Sequence, residues 1–333
     1  MLMKKTTRMI LILIVLLLCA GLGFAAYRVQ KLSEQETIAE AGSSEHADRP
    51  ATSLTLSDGE ELPLKKHIST LLVIGIDDIE GKAGPQPEDG LFYNLNLADF
   101  QTVLVFDDDA KTVTPVQLNR DTMTEVSWLS INGKIGGWET MQITFAHTYG
   151  SGGKDSCENC VRAVSRFLYG APVDHYISFT MDAIPLLNDL VGGVQVTLEE
   201  DLPALGEEYT AGAEILLKGQ AALRFVRYRD MSRTDANARR MVRHRQYLNA
   251  FIPAAREAVA DNKDFVLDAF QALDSYLCMD MTVNDLSDAV NKLCEYEILP
   301  AVTYEGTYTQ GEWAEFYADA ASVDECVRAA FCQ

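Results

Sequence analysis

Eight arginines stand between Arg224 and Arg245, at positions 224, 227, 229, 233, 239, 240, 243 and 245. No lysine lies among them. Only Asp230 and Asp235 oppose them, so this segment carries a local excess of six positive charges. The chain as a whole is acidic: 28 Lys and Arg against 49 Asp and Glu give a formal net charge of −21. A planar guanidinium binds phosphate oxygens in pairs and keeps its charge when partly buried, whereas lysine suffices for a merely solvated surface. The pattern points to a phosphate or pyrophosphate site. A solvated or membrane-facing basic helix is the competing reading. General nucleic-acid binding is disfavoured, because so acidic a protein repels a phosphate backbone. Arg240 and Arg243 are three apart on a predicted helix and share a face. Arg227 and Arg229 share a side only if the chain turns extended between them.

A second cluster lies upstream. Arg120 and Asp121 follow a strand that ends near Asn119, and Asp99 sits just before the preceding strand. Two carboxylates at neighbouring strand ends can hold one Mg²⁺ through hard oxygen ligands. Mg²⁺ on phosphate oxygens, with arginines around it, is the equipment of phosphoryl transfer. Singly, Asp99 also fits a turn or helix cap, and Arg120–Asp121 also fits a structural ion pair. Other signatures are missing: there is no GxSxG, HExxH or GxGxxG. Gly150-Ser151-Gly152-Gly153-Lys154 imitates a phosphate loop, but Thr148 replaces its first glycine and Asp155 its last hydroxyl residue, so it reads as a loop before a helix.

The elements that must position these groups follow from periodicity. Thr70–Asp77 (TLLVIGID) and Gln101–Phe106 (QTVLVF) are apolar runs fit for buried strands. Asp107-Asp108-Asp109 then turns the chain and Thr112–Leu118 returns with alternation, a β-hairpin. The three aspartates imitate the start of a calcium loop without its glycine and final glutamate, so they read as a solvated turn. Helices are predicted over Cys157–Tyr169, Met181–Val191, Gly219–Tyr228, Ala238–Val259, Val266–Tyr276 and Val283–Leu293. His175–Phe179 and Val194–Leu198 read as strands, and the last forty residues mix both signals. The expectation is a single α/β/α domain, with a mixed central sheet and helices on both faces.

Placement comes from the first residues. Met9–Tyr27 is a 19-residue run without a charge, long enough to cross a hydrocarbon core of about 30 Å. Lys4, Lys5 and Arg8 precede it, which sets the N-terminus inside. The organisation expected is a cytoplasmic tail (1–8), a transmembrane helix (9–27), an extracytoplasmic linker (28–66) and a catalytic domain (67–333). A cleaved signal peptide is the alternative, with Gly23-Phe24-Ala25 as a cleavage site. Cys19 follows Leu18, which argues against lipid attachment. Six cysteines remain outside, at 157, 160, 278, 294, 326 and 332, and their pairing is not readable from sequence. Cys157–Cys160 has the spacing of half a zinc site or a redox pair. The next cysteine is more than a hundred residues away and no histidine lies at ligand spacing, so structural thiols are expected.

The order TLLVIGID, Asp99 before TVLVF, LNRDT, AHTYGSGG, VDHYI, LVGGVQV, GQAALRFVRYRD and RMVRHRQ resembles the LytR–CpsA–Psr family from about Ser69 to Phe251. The resemblance implies a membrane-anchored transferase with its domain outside. Such an enzyme moves an anionic glycopolymer, such as a teichoic acid or capsular polysaccharide, from a polyprenyl-pyrophosphate carrier to a peptidoglycan sugar hydroxyl. It also implies a groove for the lipid tail and Mg²⁺ at the pyrophosphate. By matched position it gives Arg120, Asp121, Arg227, Arg229 and Arg240 to catalysis, and Arg120, Arg227, Arg229, Arg240 and Arg243 to pyrophosphate. Asp99 and Asp121 go to the metal, and either could accept the hydroxyl proton. Three positions depart from the family pattern: Asn119 replaces its proline, Gln142-Ile143-Thr144 lacks its lysine, and Asn237 replaces its aspartate. Two other readings stand beside transfer: a non-catalytic binder of polyprenyl phosphate or anionic polymer, and a membrane-anchored transcriptional attenuator. The latter would leave only about eight residues inside to meet DNA.

Overall fold

In the computed structural model the described residues are 52–77, 86–88, 91–130, 132–230, 232–233, 235–261, 272–281, 285, 289, 292, 296–310 and 314–333. The apolar run 9–27, its cationic flank and Cys19 lie outside them, as do Cys294 and most of the helices expected over 266–276 and 283–293. Among the described residues no helix is long and apolar enough to cross a membrane.

The chain opens with a small hairpin, Ser53–Thr55 (β1) and Glu61–Pro63 (β2), followed by the long strand Ile68–Asp77 (β3). Gln86–Glu88 (β4) and Leu91–Tyr93 (β5) pair next. Leu97–Asp107 (β6) and Thr112–Leu118 (β7) form the expected hairpin, with the Asp107 side chain accepting from the amides of Asp109 and Ala110 in the turn. Met123–Leu129 (β8) and Ile135–Gln142 (β9) make another hairpin, and a 3-10 turn over Ile143–Thr148 leads to helix Lys154–Phe167 (α1). His175–Thr180 (β10), Ala183–Leu190 (α2), Val194–Thr197 (β11), Glu214–Leu217 (β12), Gln220–Arg227 (α3) and Ala236–Asp261 (α4) follow. Leu277–Met279 (β13), Glu297–Ile298 (β14), Gly306–Gln310 (β15), Ala314–Ala318 (β16) and Ala320–Phe331 (α5) complete the order.

The central sheet runs β13-β10-β3-β6-β7-β14. β10 is parallel to β3 and β14 to β7, while the other pairs are antiparallel, so the sheet is mixed as expected. Alternation divides it into two faces. Leu72, Ile74, Val103, Val105 and Val116 point to one face, where they pack with Cys157, Val161 and Val164 of α1 and with Val323, Val327 and Phe331 of α5. The opposite face carries Phe100 and Met181 toward α2, α3 and α4.

The boundary of the expected linker moves. Residues 53–65 belong to the domain, because Leu54, Leu56 and Leu64 are buried in the first face's core. Ser57 N–H donates to Asp324 of α5 (3.1 Å) and Lys65 N–H to Phe331 O (2.9 Å). Alternation is present in SLTLSDGEELPL, with Gly59 at φ 88° making the turn, but polar neighbours on the outer face obscure it.

Candidate functional site

The end of β3, the start of β6 and the end of β7 lie at one edge of the sheet, since Asp77 pairs with Leu97 and Gln101 with Leu118. A β-bulge sits there. Gly75 faces Phe100 and Ile76 faces Ala98, which leaves Asp99 as the extra residue of β6. Its effect is to re-aim side chains. Ala98 enters the α1/α5 core while Phe100, two residues on, packs on the opposite face. A glycine suits the position opposite, because a Cβ at Gly75 would stand a tight 3.0 Å from Phe100 Cβ. Asp99 and Phe100 then meet α4 one turn apart, at Arg240 and His244; the Phe100 and His244 rings contact edge-on at 5.4 Å.

Asp99 is the centre of a buried charge cluster. Arg240 Nη1 donates to its Oδ2 at 2.7 Å, and Arg240 Nη2 to its backbone carbonyl at 3.2 Å. Arg120 Nη1 binds the other carboxylate oxygen, and Arg120 Nε donates to Asp121 Oδ1 at 3.1 Å. Arg240 is only 2% exposed, and its Nε finds no acceptor among the described residues. Burial works to raise the Asp99 pKa. The charges of Arg240 and Arg120, the Arg240 hydrogen bond and the field of Arg229 outweigh it and hold the carboxyl below its usual range. Burial acts against the charge of Arg240 too, opposed by Asp99, and a guanidinium nevertheless stays protonated.

Arg227 and Arg229 meet the condition their spacing set. Helix α3 ends at Arg227, and Tyr228 is extended (φ −55°, ψ 132°). Arg227 donates to Asp77 Oδ1 at the end of β3 (2.7 Å). Arg229 makes no ion pair or hydrogen bond among the described residues, yet lies close enough for its charge to act on Asp99 and Arg240. Arg243 goes elsewhere: it pairs with Glu200 (2.5 Å), binds the Tyr228 carbonyl and lies over the Tyr228 ring, so its contacts fasten the Arg227–Arg229 turn to α4. His244 Nε2–H donates to the Val226 carbonyl at 2.9 Å; burial pushes its pKa down to about 3, so the ring is neutral.

Several participants carried no sequence signal of their own. Asp77 and Glu200 are counter-ions recognisable only from contacts. Tyr308 of β15 reaches the site from the C-terminal hairpin, where its hydroxyl meets Asn119 Nδ2 at 2.9 Å and lies 3.5 Å from Asp121 Oδ2. Phe316 N–H of β16 donates to the Asp121 carbonyl (2.9 Å) and Tyr304 OH accepts from Asn119 N–H (3.0 Å), so this hairpin braces the Arg120–Asp121 turn.

The carboxylates of Asp99 and Asp121 share one cation, the guanidinium of Arg120. Two hard carboxylates on a common cation are a donor set that suits Mg²⁺, provided water and phosphate oxygens complete its octahedron. Among the described residues no three His, Cys, Asp or Glu side chains assemble as a metal site. Cys157 and Cys160 are buried thiols; Cys157 donates to Ser178 Oγ at 3.3 Å. The Gly150–Lys154 loop spends its amides internally, with Ser151 N–H on Asp155 Oδ2 and Gly152 N–H on Ser156 Oγ, both 2.9 Å.

The LytR_cpsA_psr family pattern matches residues 28–328. The chain belongs to the LytR–CpsA–Psr family. Among curated members of this family, the cell wall biosynthesis protein LcpA of Corynebacterium glutamicum is 29% identical over 61% of this chain and 43% of its own. A polyisoprenyl-teichoic acid–peptidoglycan teichoic acid transferase, TagU of Halalkalibacterium halodurans, is 28% identical over 55% of this chain and 52% of its own. The matched part thus spans about half the length of these relatives. The fold is also that of solved LytR–CpsA–Psr structures. B. subtilis TagV superposes with a TM-score of 0.55 at 21% identity, over 80% of this chain and 96% of its own. TagT bound to LIIa-WTA gives 0.57 at 17% identity, over 83% and 97%.

Proposed function

We propose that this LytR–CpsA–Psr protein is a phosphotransferase that moves an anionic glycopolymer from a polyprenyl-pyrophosphate carrier to a peptidoglycan sugar hydroxyl, outside the cytoplasmic membrane. The observation that carries the reading is Arg229. Among the described residues it is a cation without a counter-ion, and its charge acts on a buried Asp99 whose carboxylate already serves Arg120 and Arg240. Such an arrangement is preorganised for a ligand that brings its own negative charge. The names of the family relatives as teichoic acid transferase and cell wall biosynthesis protein support the same class of acceptor and donor.

In this reading the acceptor hydroxyl oxygen attacks the phosphorus that bears the glycan. The bond from that phosphorus to the bridging oxygen breaks, and polyprenyl phosphate leaves. Arg229, Arg227 and Arg120 meet the charge growing on the leaving group. Asp121 is the better proton acceptor of the two aspartates. Both oxygens of Asp99 are engaged by guanidinium groups, whereas among the described residues Asp121 Oδ2 has only the long Tyr308 contact. Mg²⁺, held by Asp99 and Asp121, would add charge neutralisation at the pyrophosphate. The expected anchor is the apolar run 9–27.

The test is Asp121→Ala, assayed for transfer from a synthetic polyprenyl-pyrophosphate-linked glycan to peptidoglycan fragments. The variant is expected to fold and to lose transfer by a factor of about 10²–10⁴, the usual worth of a positioned base. Full turnover in Asp121→Ala would refute this assignment of the base. Tight lipid binding without transfer in the unmodified protein would favour the non-catalytic binder, which uses the same arginines.

A further inference from the structure

Asn119 and Asn237, 118 positions apart, meet inside the site and are each 4% exposed. Asn237 Nδ2 donates to Asn119 Oδ1 at 2.6 Å, and Asn237 Oδ1 accepts from Arg240 Nη2 at 2.7 Å. Asn119 Oδ1 also accepts the backbone N–H of Asp121 at 3.0 Å, while its Nδ2 donates to Tyr308 OH at 2.9 Å. Both amides therefore use both ends. Arg120, bound to Asp99 and Asp121, closes the circuit: Asp99, Arg240, Asn237, Asn119, Asp121, Arg120.

The direction of this circuit is fixed by what each group can do. Turning Asn237 around would aim its N–H₂ at the Arg240 guanidinium and its oxygen at Asn119 Oδ1. Turning Asn119 would oppose N–H₂ to the N–H groups of Asn237 and Asp121. A neutral amide at both places also leaves Asp99 as the carboxylate bonded to Arg240. The fold thus joins two residues 118 positions apart in the sequence.

We infer that the Asn119–Asn237 amide pair is a positioning element of the anion site, coupling Arg240 on α4 to the Arg120–Asp121 turn. The two amides touch the side chains that act and are not themselves catalytic. The ligand in this inference rests on the pyrophosphate reading; the coupling does not.

Aspartate at either position adds one negative charge, with different consequences for the hydrogen bonds. At 119 a carboxylate still accepts from Asn237 Nδ2 and Asp121 N–H, and the Tyr308 hydroxyl can rotate to donate. At 237 a carboxylate still accepts from Arg240 but sets its second oxygen against Asn119 Oδ1. The experiment measures affinity for farnesyl pyrophosphate by calorimetry, and unfolding, in the full chain and in Asn119→Asp, Asn237→Asp, Asn119→Ala, Asn237→Ala and the double alanine variant. Asn237→Asp is expected to lose about tenfold in affinity and Asn119→Asp about threefold. The alanine changes are expected to be coupled, the double variant binding no worse than the weaker single. Equal losses from the two aspartates would reduce the effect to charge alone and overturn the inference. Additive alanine effects would do the same, and that cycle decides if Asn237→Asp does not fold. Should the unmodified protein bind no farnesyl pyrophosphate, the pyrophosphate reading fails, and additivity in the unfolding cycle alone then decides the pairing.

Discussion

The two faces of the central sheet solve burial in opposite ways. Against α1 and α5, β3, β6 and β7 bury Leu72, Ile74, Val103, Val105 and Val116, and the cover is equally aliphatic. Against α4, at the sheet edge, the same strands bury Asp99 and meet Arg240, itself 2% exposed. Apolar burial on the first face is non-directional and tolerant of exchange. The second face is held by charges and amides whose partners are individually specified, and removing one strands another. The first face therefore supplies stability, and the second converts part of it into a fixed array of positive charge.

The strongest way to break this contrast is Asp99→Ala. It leaves Arg240 buried without a counter-charge and is expected to cost about 3–5 kcal/mol, the range for halving a buried pair, and to abolish transfer. Chemical denaturation with a parallel transfer assay checks it; a stable variant would mean that the cluster is wetter than its burial indicates. Leu72→Ala on the other face is expected to cost about 2–5 kcal/mol through its cavity, with affinity for a prenyl pyrophosphate unchanged under folding conditions. A loss of affinity at full folding would show that the two faces are coupled. Arg229→Ala inverts that pattern. Since it breaks no ion pair or hydrogen bond among the described residues, stability should stay within about 0.5 kcal/mol while affinity falls about tenfold, read by denaturation beside calorimetry.

Acid dependence from His244 tests the second face by another route. Its folded pKa lies near 3, below the ordinary 6.5, so over that interval the unfolded chain binds the proton that the folded chain refuses. Stability from this group is complete above about pH 6.5 and falls as the pH drops toward 3. Unfolding midpoints measured from pH 7 to pH 4 should decline, and less steeply in His244→Gln; equal slopes would place the acid sensitivity elsewhere.

Much of this contrast was legible before the fold. The α/β alternation, the β6–β7 hairpin and the helices carrying the arginines are local patterns of hydrophobicity, and local patterns survive folding. Asp99, Arg120 and Arg240 were recognisable as candidates because charged residues at strand ends and arginines without lysines are unusual in themselves. The β1–β2 hairpin was legible in principle through Leu54, Leu56, Leu62 and Leu64, and was hidden by its polar outer face. The fate of Arg243 was not legible. It shares a helix with Arg240, yet it serves Glu200 and the Tyr228 carbonyl, because the counter-ion that captured it lies 43 residues away.

Residue type and spacing thus determined the class of fold and the supply of positive charge, since both are properties of short stretches of chain. The tertiary structure alone decided which charges stay free and which are spent. A bulge at Asp99, invisible in composition, turned one carboxylate toward α4. The C-terminal hairpin brought Tyr308 to Asp121, and two asparagines distant in sequence became one hydrogen bond. Such pairings depend on contacts between remote segments, and hydrogen bonds acting over about 3 Å cannot be read from positions more than a hundred residues apart.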